Sequence, residues 1–421
     1  MRASLGISAA REPTSAIETT KTMERRSKPT YFRKLERGLF TAFVAALCLA
    51  TTSVLAEPPT TPLDARALAR LTDPPLGLPP VPGIDNGLPT AAEIALGRKL
   101  LFDRRLSHVG TMSCAMCHIP EQGFTNNELK TPVGVFGLSI RRNAPTLLNV
   151  AYQETLFHDG RETGLETQVI SPLLARNEMA NPSIGYLIER IDSFADYDGL
   201  FETSYGGGPS IEGLGRALAA YQRSLLSGNS AFDRWRFGGE AEALGPAAQA
   251  GFALFTGKAG CVNCHTIGEA SALFTDQAFH FTGIGYRRPA DDAPVPVEIA
   301  PGVVVPLARQ AVEAVSGPQE PDLGRYEVSL DPDDLWRFKT PSLRNVALTA
   351  PYMHDGSLGS LRAVVAFYDD PPVEHEQLDP LLAPLGLSEA EIDQLVAFLE
   401  SLTGDNIAEL IADARSVGVG N

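Results

Sequence analysis

Positive charge is scarce in this sequence. The chain has 35 Lys and Arg residues against 51 Asp and Glu residues, which gives a formal net charge of -16. Residues 1–56 hold nine basic and four acidic residues, so the remainder carries -16 minus +5, or -21. A surface this acidic repels nucleic acid and anionic membranes, and it favours a partner protein with a basic surface.

Long apolar runs are also scarce. Residues 38–55 form an apolar run that follows a basic segment and leads to Val54-Leu55-Ala56, a pattern typical of a secretory signal peptide. The run is short for a membrane span. We therefore predict a signal peptide over residues 1–56, a periplasmic location and no stable membrane span in the mature chain. An uncleaved membrane anchor is the alternative, and Cys48 is expected to leave with the signal.

Cysteine is rare, and four of the five cysteines fall in two pentapeptides. These are Cys114-Ala-Met-Cys117-His118 and Cys261-Val-Asn-Cys264-His265. A C-x-x-C-H run attaches c-type haem, because its thiols add to the haem vinyl groups and its imidazole ligates the iron. A redox dithiol or half of a zinc site needs no His after the second Cys. The sequence therefore predicts two covalent haem c groups, and haem c attachment outside the cytoplasm agrees with export.

The segments before the two haem runs follow the same plan. Apolar residues at helical spacing predict a helix over Ala91–Phe102, with Thr90 as N-cap, and a second over Ala247–Phe255. We interpret this as an internal duplication of a small helical cytochrome fold. The predicted fold class is mainly α, with two cytochrome c-like domains that each bind one covalent haem c, and with long irregular loops.

Composition also predicts the domain boundaries. Prolines without sustained periodicity predict an extended leader, with order beginning near Thr90. A capping box at Ser388 begins a terminal helix that is expected to end by Gly404. The predicted segments are a leader at 57–88, an N-terminal haem c domain at 89–238, a C-terminal haem c domain at 239–405 with a surface excursion at 286–336, and a tail at 406–421.

Several blocks outside the haem runs resemble the bacterial dihaem cytochrome c peroxidase and MauG family, from about Leu96 to Gly404. The blocks are Arg142-Asn143-Ala144-Pro145-Thr146, Phe157–Arg161, Gln168–Glu178, Thr340–Asn345 and Pro351–Ser357. The resemblance implies that the haem on His118 reacts with H2O2. It also implies that the haem on His265 stores or relays an electron.

The same resemblance implies the remaining site residues. Glu178 matches the family's catalytic glutamate, a carboxylate suited to moving a proton between the two peroxide oxygens, and Gln168 matches its pocket glutamine. The side chain of Asn143 and the backbone carbonyls of Thr349 and Pro351 match oxygen ligands of a Ca2+ ion. Without the resemblance, Glu178 would be interpreted as a solvated acidic residue in a loop, and Asn143 as a residue that forms a turn.

The sequence departs from the family at three places. The loop 134–141 lacks the His that blocks the reactive haem in most of these peroxidases, so we expect an open site and no reductive activation step. His158 occupies the position at which the family has a Trp between the haems. We expect His158 to act there either as a proton relay or as a structural hydrogen-bonding residue. Tyr368 replaces the Met that ligates the second haem iron in the peroxidases, with Met353 as the alternative ligand.

Three functions follow from these features. The first is a peroxidase that reduces H2O2 with electrons from a small periplasmic cytochrome c or cupredoxin. The second is a MauG-like oxidase that modifies a side chain of a partner protein. The third is a non-enzymatic dihaem electron carrier, which would need neither Glu178 nor Gln168 nor an open iron site. We rank the peroxidase first.

Overall fold

The structure is a computed structural model that describes residues 63–84, 87–286, 294–300, 303–308, 311, 321–371 and 375–417. It is 42% helix and 6% strand, which confirms the prediction of a mainly α protein. The predicted signal peptide lies outside the described residues. Among the helices that are described, none has both the length and the apolar character needed to cross a membrane.

In the described residues, helices and two short strand pairs make up the regular structure. The α-helices are Leu63–Thr72, Ala91–Phe102, Leu165–Gln168, Ile170–Leu174, Ile184–Asp192, Leu200–Tyr205, Ile211–Arg223, Ala231–Arg236, Pro246–Thr256, Tyr326–Ser329, Leu361–Asp369, Glu389–Glu400 and Ile407–Ala414. The antiparallel strand pairs are Phe279–His280 with Phe338–Lys339, and Val295–Ala300 with Val303–Leu307. The second pair lies within the expected surface excursion, and its Val303 and Val304 are exposed.

The two predicted haem helices pack in the same way. Ala91–Phe102 packs against Ile211–Arg223, and Pro246–Thr256 packs against Glu389–Glu400. At the first crossing, a Cβ atom added to Gly97 would lie 1.8 Å from the carbonyl oxygen of Ala217. At the second, a Cβ atom added to Gly251 would lie 1.9 Å from that of Gln394. Only glycine permits such close backbone contact, and its recurrence supports the predicted duplication.

The helix starts follow the expected local chemistry. Thr90 and Glu93 form a capping box, in which each side chain accepts a hydrogen bond from the other residue's backbone N–H. Ser388 and Glu391 form the same arrangement at the start of the last long helix. Both N-caps confirm the predicted helix starts.

The buried side chains form two main clusters, the first drawn mostly from residues 67–226 and the second from residues 232–402. Ile94, Leu218 and Tyr221 belong to the first cluster. Phe255 and Phe398 belong to the second, where their ring centroids lie 4.9 Å apart. Each cluster therefore contains residues from both helices of one of the two helix pairs.

Order begins earlier than predicted. The expected extended leader contains the helix Leu63–Thr72, whose Ala67 and Leu71 are fully buried in the first core cluster. The expectation that order begins near Thr90 was wrong, because Ala67 and Leu71 are four residues apart and share one apolar helix face. The predicted tail likewise contains the helix Ile407–Ala414, which also contributes to the first cluster.

Candidate haem and peroxide site

A cavity of about 780 Å3 extends to both haem-attachment runs. Its lining includes Cys114, Cys117 and His118 of the first run, and Cys261, Cys264 and His265 of the second. None of these four cysteines is in a disulfide. Burial raises the pKa of the Cys114 thiol to about 12 and that of the Cys117 thiol to about 11. The cavity thus presents two thiol pairs, each with an imidazole, and these residues fit two haem c groups.

Both imidazoles are oriented by backbone carbonyls. Nδ1 of His118 lies 3.1 Å from the carbonyl oxygen of Phe124, and Nδ1 of His265 lies 2.8 Å from that of Phe274. Since a carbonyl only accepts, each Nδ1 carries the hydrogen and each Nε2 is available to bind iron. Burial lowers the pKa of both imidazoles, which favours the neutral form that ligates metal.

Glu178 and Gln168 line the same cavity as the first haem run. The helix Leu165–Gln168 carries the glutamine, and Glu178 sits in a turn closed by a 2.9 Å hydrogen bond from its N–H to the carbonyl oxygen of Ala175. Burial raises the pKa of Glu178, while the Arg161 guanidinium acts in the opposite direction. A carboxyl with a raised pKa exchanges protons closer to neutral pH than an ordinary one.

The loop that lacks a His lies directly against this turn. The backbone N–H of Val135 donates to the carbonyl oxygen of Glu178 at 2.9 Å. The loop closes on itself, since Gly134 N–H donates to the carbonyl oxygen of Leu138 at 3.0 Å. Phe136 and Leu138, at the tip, are exposed.

His158 and His354 line the same cavity and belong to the blocks Phe157–Arg161 and Pro351–Ser357. Nε2 of His158 contacts the carbonyl oxygen of Asn143 at 2.9 Å, and Asn143 N–H donates to the carbonyl oxygen of His354 at 2.7 Å. The His354 ring stacks on Phe338, with centroids 3.5 Å apart and planes at 10°. Burial lowers the pKa of both imidazoles to about 4, so both are neutral at pH 7.

Tyr368 and Met353, the two candidate ligands of the second haem iron, both line the cavity. Tyr368 comes from the helix Leu361–Asp369, and Val364 and Val365 of that helix line the cavity with it. Burial raises the pKa of the Tyr368 phenol, with the nearby Cys261 and Cys264 acting in the same direction. The structure brings both candidates to the cavity, and the choice between them stays a prediction.

The three residues expected to hold Ca2+ also line this cavity. Nδ2 of Asn143 donates to the carbonyl oxygen of Lys130 at 2.9 Å, so its Oδ1 is the atom available to a cation. Thr349 and Pro351 contribute from the other half of the chain. This oxygen-donor set fits a hard cation.

Comparison with known proteins decides the family. Residues 91–242 match the sequence profile of the di-haem cytochrome c peroxidase family. The methylamine utilization protein MauG of Methylorubrum extorquens is 37% identical over 321 residues, which cover 76% of this chain and 80% of that protein. The chain belongs to the dihaem cytochrome c peroxidase and MauG family. The predicted family is thereby confirmed.

Two further comparisons support the same family assignment. Cytochrome-c peroxidase IdrP1 of Denitromonas iodatirespirans is 36% identical over 342 residues, covering 78% of this chain and 86% of that protein. The crystal structure of a MauG-like protein associated with microbial copper homeostasis has a TM-score of 0.63 and 29% identity, covering 79% of this chain and 94% of that one. As a member of this dihaem family the protein is an oxidoreductase, and the family implies two haem c cofactors.

Two features of the structure were not predicted from the sequence. Arg142 is buried and binds Asp322 through two hydrogen bonds of 2.7 Å and Asp159 through one of 2.5 Å. Arg142 and Asp322 are 180 residues apart, so no local pattern could have paired them.

His280 is the second feature. It lies 2.5 Å from Asp379 and 2.9 Å from Asp276, and Cys264 lies close to its ring. Hydrogen bonding with Cys264 and with the two carboxylates raises the pKa of His280 to about 10, against the effect of burial. Cys264 is one of the predicted haem-attachment residues, so we assign this group to the predicted haem site.

Proposed function

We propose that the protein is a periplasmic peroxidase that reduces H2O2 to two molecules of water with two electrons and two protons. The electrons come one at a time from a small redox protein, a cytochrome c or a cupredoxin. The observation that carries the proposal is the placement of Glu178, a half-buried carboxyl with a raised pKa, in the cavity of the first haem run. An electron carrier has no use for such a group.

Two haems, held by Cys114 and Cys117 and by Cys261 and Cys264, would supply the iron for the reaction and would pass on the electrons of the donor protein. The protein's own residues handle the protons. Glu178 takes the proton from the inner oxygen of H2O2 and returns it to the outer oxygen, which leaves as water. The Gln168 amide orients the peroxide by hydrogen bonding within the same cavity.

The positions of the remaining residues support further assignments. His118 and His265 would each hold a haem iron through Nε2. Tyr368, in place of Met353, would be a second residue that holds the iron of the His265 haem. Asn143 Oδ1 and the carbonyl oxygens of Thr349 and Pro351 would hold Ca2+ and so connect the two segments that carry them.

The test is Glu178→Gln in the holoenzyme, which keeps the size of the side chain and removes its acid–base function. We expect peroxide turnover to fall by about 100-fold or more, with unchanged haem content and absorption spectrum. The matched control is Glu128→Gln, an exposed carboxylate of the same half. Unchanged turnover in Glu178→Gln removes this residue from the mechanism.

A MauG-like oxidase is the second candidate. It is favoured by Tyr368, because by resemblance MauG-type proteins have a Tyr at this position, and by the relatives named MauG, of which one is 37% identical. The net charge of -21 outside residues 1–56 suits a protein substrate with a basic surface as well as it suits a basic electron donor. Steady-state consumption of H2O2 with a reduced cytochrome c supports the peroxidase. Negligible turnover with cytochrome c and cupredoxin donors favours the oxidase.

A further inference from the structure

The loop 134–141 makes a close backbone contact with the turn that carries Glu178. A Cβ atom added to Gly134 would lie 2.1 Å from the carbonyl oxygen of Asn177, 2.4 Å from its carbonyl carbon and 2.7 Å from the nitrogen of Glu178. Ordinary contact begins at 3.4 Å, so any side chain here forces the loop and the turn apart by at least about 1 Å. The neighbouring atoms are backbone, which cannot rotate away.

Hydrogen bonds fix the two segments in this position. Val135 N–H donates to the carbonyl oxygen of Glu178 at 2.9 Å, directly beside the Gly134 contact. On the other side of the turn, His108 N–H donates to the carbonyl oxygen of Met179 at 2.9 Å. The main chain on both sides of the Glu178 side chain is thus held by other parts of the fold, and Gly134 is buried at one of these contacts.

We propose that Gly134 is a positioning residue for Glu178, because its missing side chain lets the loop 134–141 dock on the main chain of Asn177 and Glu178 and fix where the carboxylate points. The proposal rests on the proposed acid–base role of Glu178. In this chain the loop 134–141 carries no ligand for the iron. Its role is instead to hold Glu178, the residue that transfers the peroxide proton, in position.

Gly134→Ala is the direct test. Its backbone φ lies outside the left-handed region, so the added methyl acts through contact and not through backbone strain. We expect the rate of the oxidised holoenzyme with H2O2 to fall by about 10- to 100-fold, the scale of a misplacement of about 1 Å. The KM for the electron donor and the haem spectrum should not change. The matched control is Gly207→Ala in the same half, where an added Cβ meets nothing within 4 Å.

The double variant Gly134→Ala/Glu178→Gln separates positioning from general damage. If Gly134 acts through Glu178, the double variant reacts with H2O2 at the rate of Glu178→Gln alone. A further loss in the double variant overturns the proposal, and so does a Gly134→Ala rate equal to that of Gly207→Ala. If Glu178→Gln itself reacts normally, the proposed function fails, whatever Gly134→Ala does.

Hydrogen exchange of the wild-type holoenzyme tests the docking without any variant and without activity. The Val135 amide should exchange at least about 100-fold more slowly than in an unstructured peptide, because it is bonded to Glu178. The exposed amides at Phe136 and Leu138 serve as internal references for the same loop. If the Val135 amide exchanges as fast as the Phe136 amide, the proposal is wrong. This test can be made even if Gly134→Ala does not fold.

Discussion

Nε2 of His158 donates a hydrogen bond to the carbonyl oxygen of Asn143 at 2.9 Å. The acceptor can only accept, so Nε2 carries a hydrogen. Burial lowers the pKa of His158 to about 4, so the ring is neutral at pH 7. The contact connects the residue that replaces the family's Trp with a proposed Ca2+ ligand. The observed bond favours the structural role of His158 over the proton relay.

Two variants of His158 separate these roles. His158→Gln keeps an N–H donor and should retain stability and turnover close to wild type. His158→Phe leaves the buried carbonyl of Asn143 without its donor and should lower the free energy of unfolding by about 1–3 kcal/mol. Denaturant unfolding and peroxide turnover are the measurements. If both variants lose turnover and keep stability, the relay is correct instead.

The oxidised protein should react with H2O2 without a lag. The loop 134–141 has no imidazole to occupy the iron on His118, and its Val135 is bonded to Glu178. Stopped-flow mixing of the fully oxidised holoenzyme with peroxide checks this, with a sample reduced by one electron as the comparison. A lag that prior reduction abolishes shows that another residue closes the site.

Tyr368 and Met353 give different spectra as ligands. A phenolate oxygen stabilises ferric iron, so we expect Tyr368→Phe to raise the reduction potential of the second haem and to alter its oxidised spectrum. Met353→Leu should leave both unchanged. Redox titration followed by absorption spectroscopy decides between them. A thioether charge-transfer band that is lost only in Met353→Leu assigns the ligand to Met353.

Removal of Ca2+ should weaken the contact between the segment that contains Asn143 and the segment that contains Thr349 and Pro351. Asn143→Ala removes the proposed side-chain ligand, so a chelator should lower the melting temperature of the wild type by several degrees and that of Asn143→Ala by little. Thermal unfolding with and without added Ca2+ provides the measurement. Equal responses to the chelator in both proteins exclude Asn143 as a ligand.

Acid should weaken the protein through Asp322. Burial raises the pKa of Asp322, but the hydrogen bonds and charge of Arg142 outweigh this effect and lower it to about 2. Because the folded pKa lies below the unfolded value, this stabilisation is complete above about pH 4 and disappears as the pH falls towards 2. Asp322→Asn should cost roughly 1–3 kcal/mol at pH 7 and flatten the loss between pH 4 and 2.

Asp333→Asn, an exposed carboxylate in the same part of the chain, is the control for Asp322→Asn. Urea unfolding across this pH range provides the comparison. Equal stabilities of the two variants at pH 7 would show that the bond to Arg142 contributes nothing measurable.

Local patterns predicted the parts of the fold that local chemistry determines. The capping boxes at Thr90 and Ser388 and the helices before both haem runs were visible because their signals lie within a few residues. The helix Leu63–Thr72 was missed because the prolines around it dominated the composition, although Ala67 and Leu71 mark its buried face.

The site also depends on contacts between residues that lie far apart in the sequence, and these the sequence could not show. Motifs placed Glu178 in the pocket, but nothing near Gly134 indicates that its backbone meets Asn177, 43 residues later, and the same holds for Arg142 and Asp322. Such contacts depend on how loops lie after the helices have packed. A resemblance transfers motif residues, whereas these supporting partners need coordinates.

The helix Ile407–Ala414 has a consequence for the order in which the chain can fold. Leu410 and Ala414 are fully buried in the same cluster as Ile94, and Asp413 lies 2.9 Å from Arg98 on the first haem helix. The first cluster is therefore complete only once Leu410 and Ala414 have been synthesised, which is after Leu402, the last described buried residue of the second cluster.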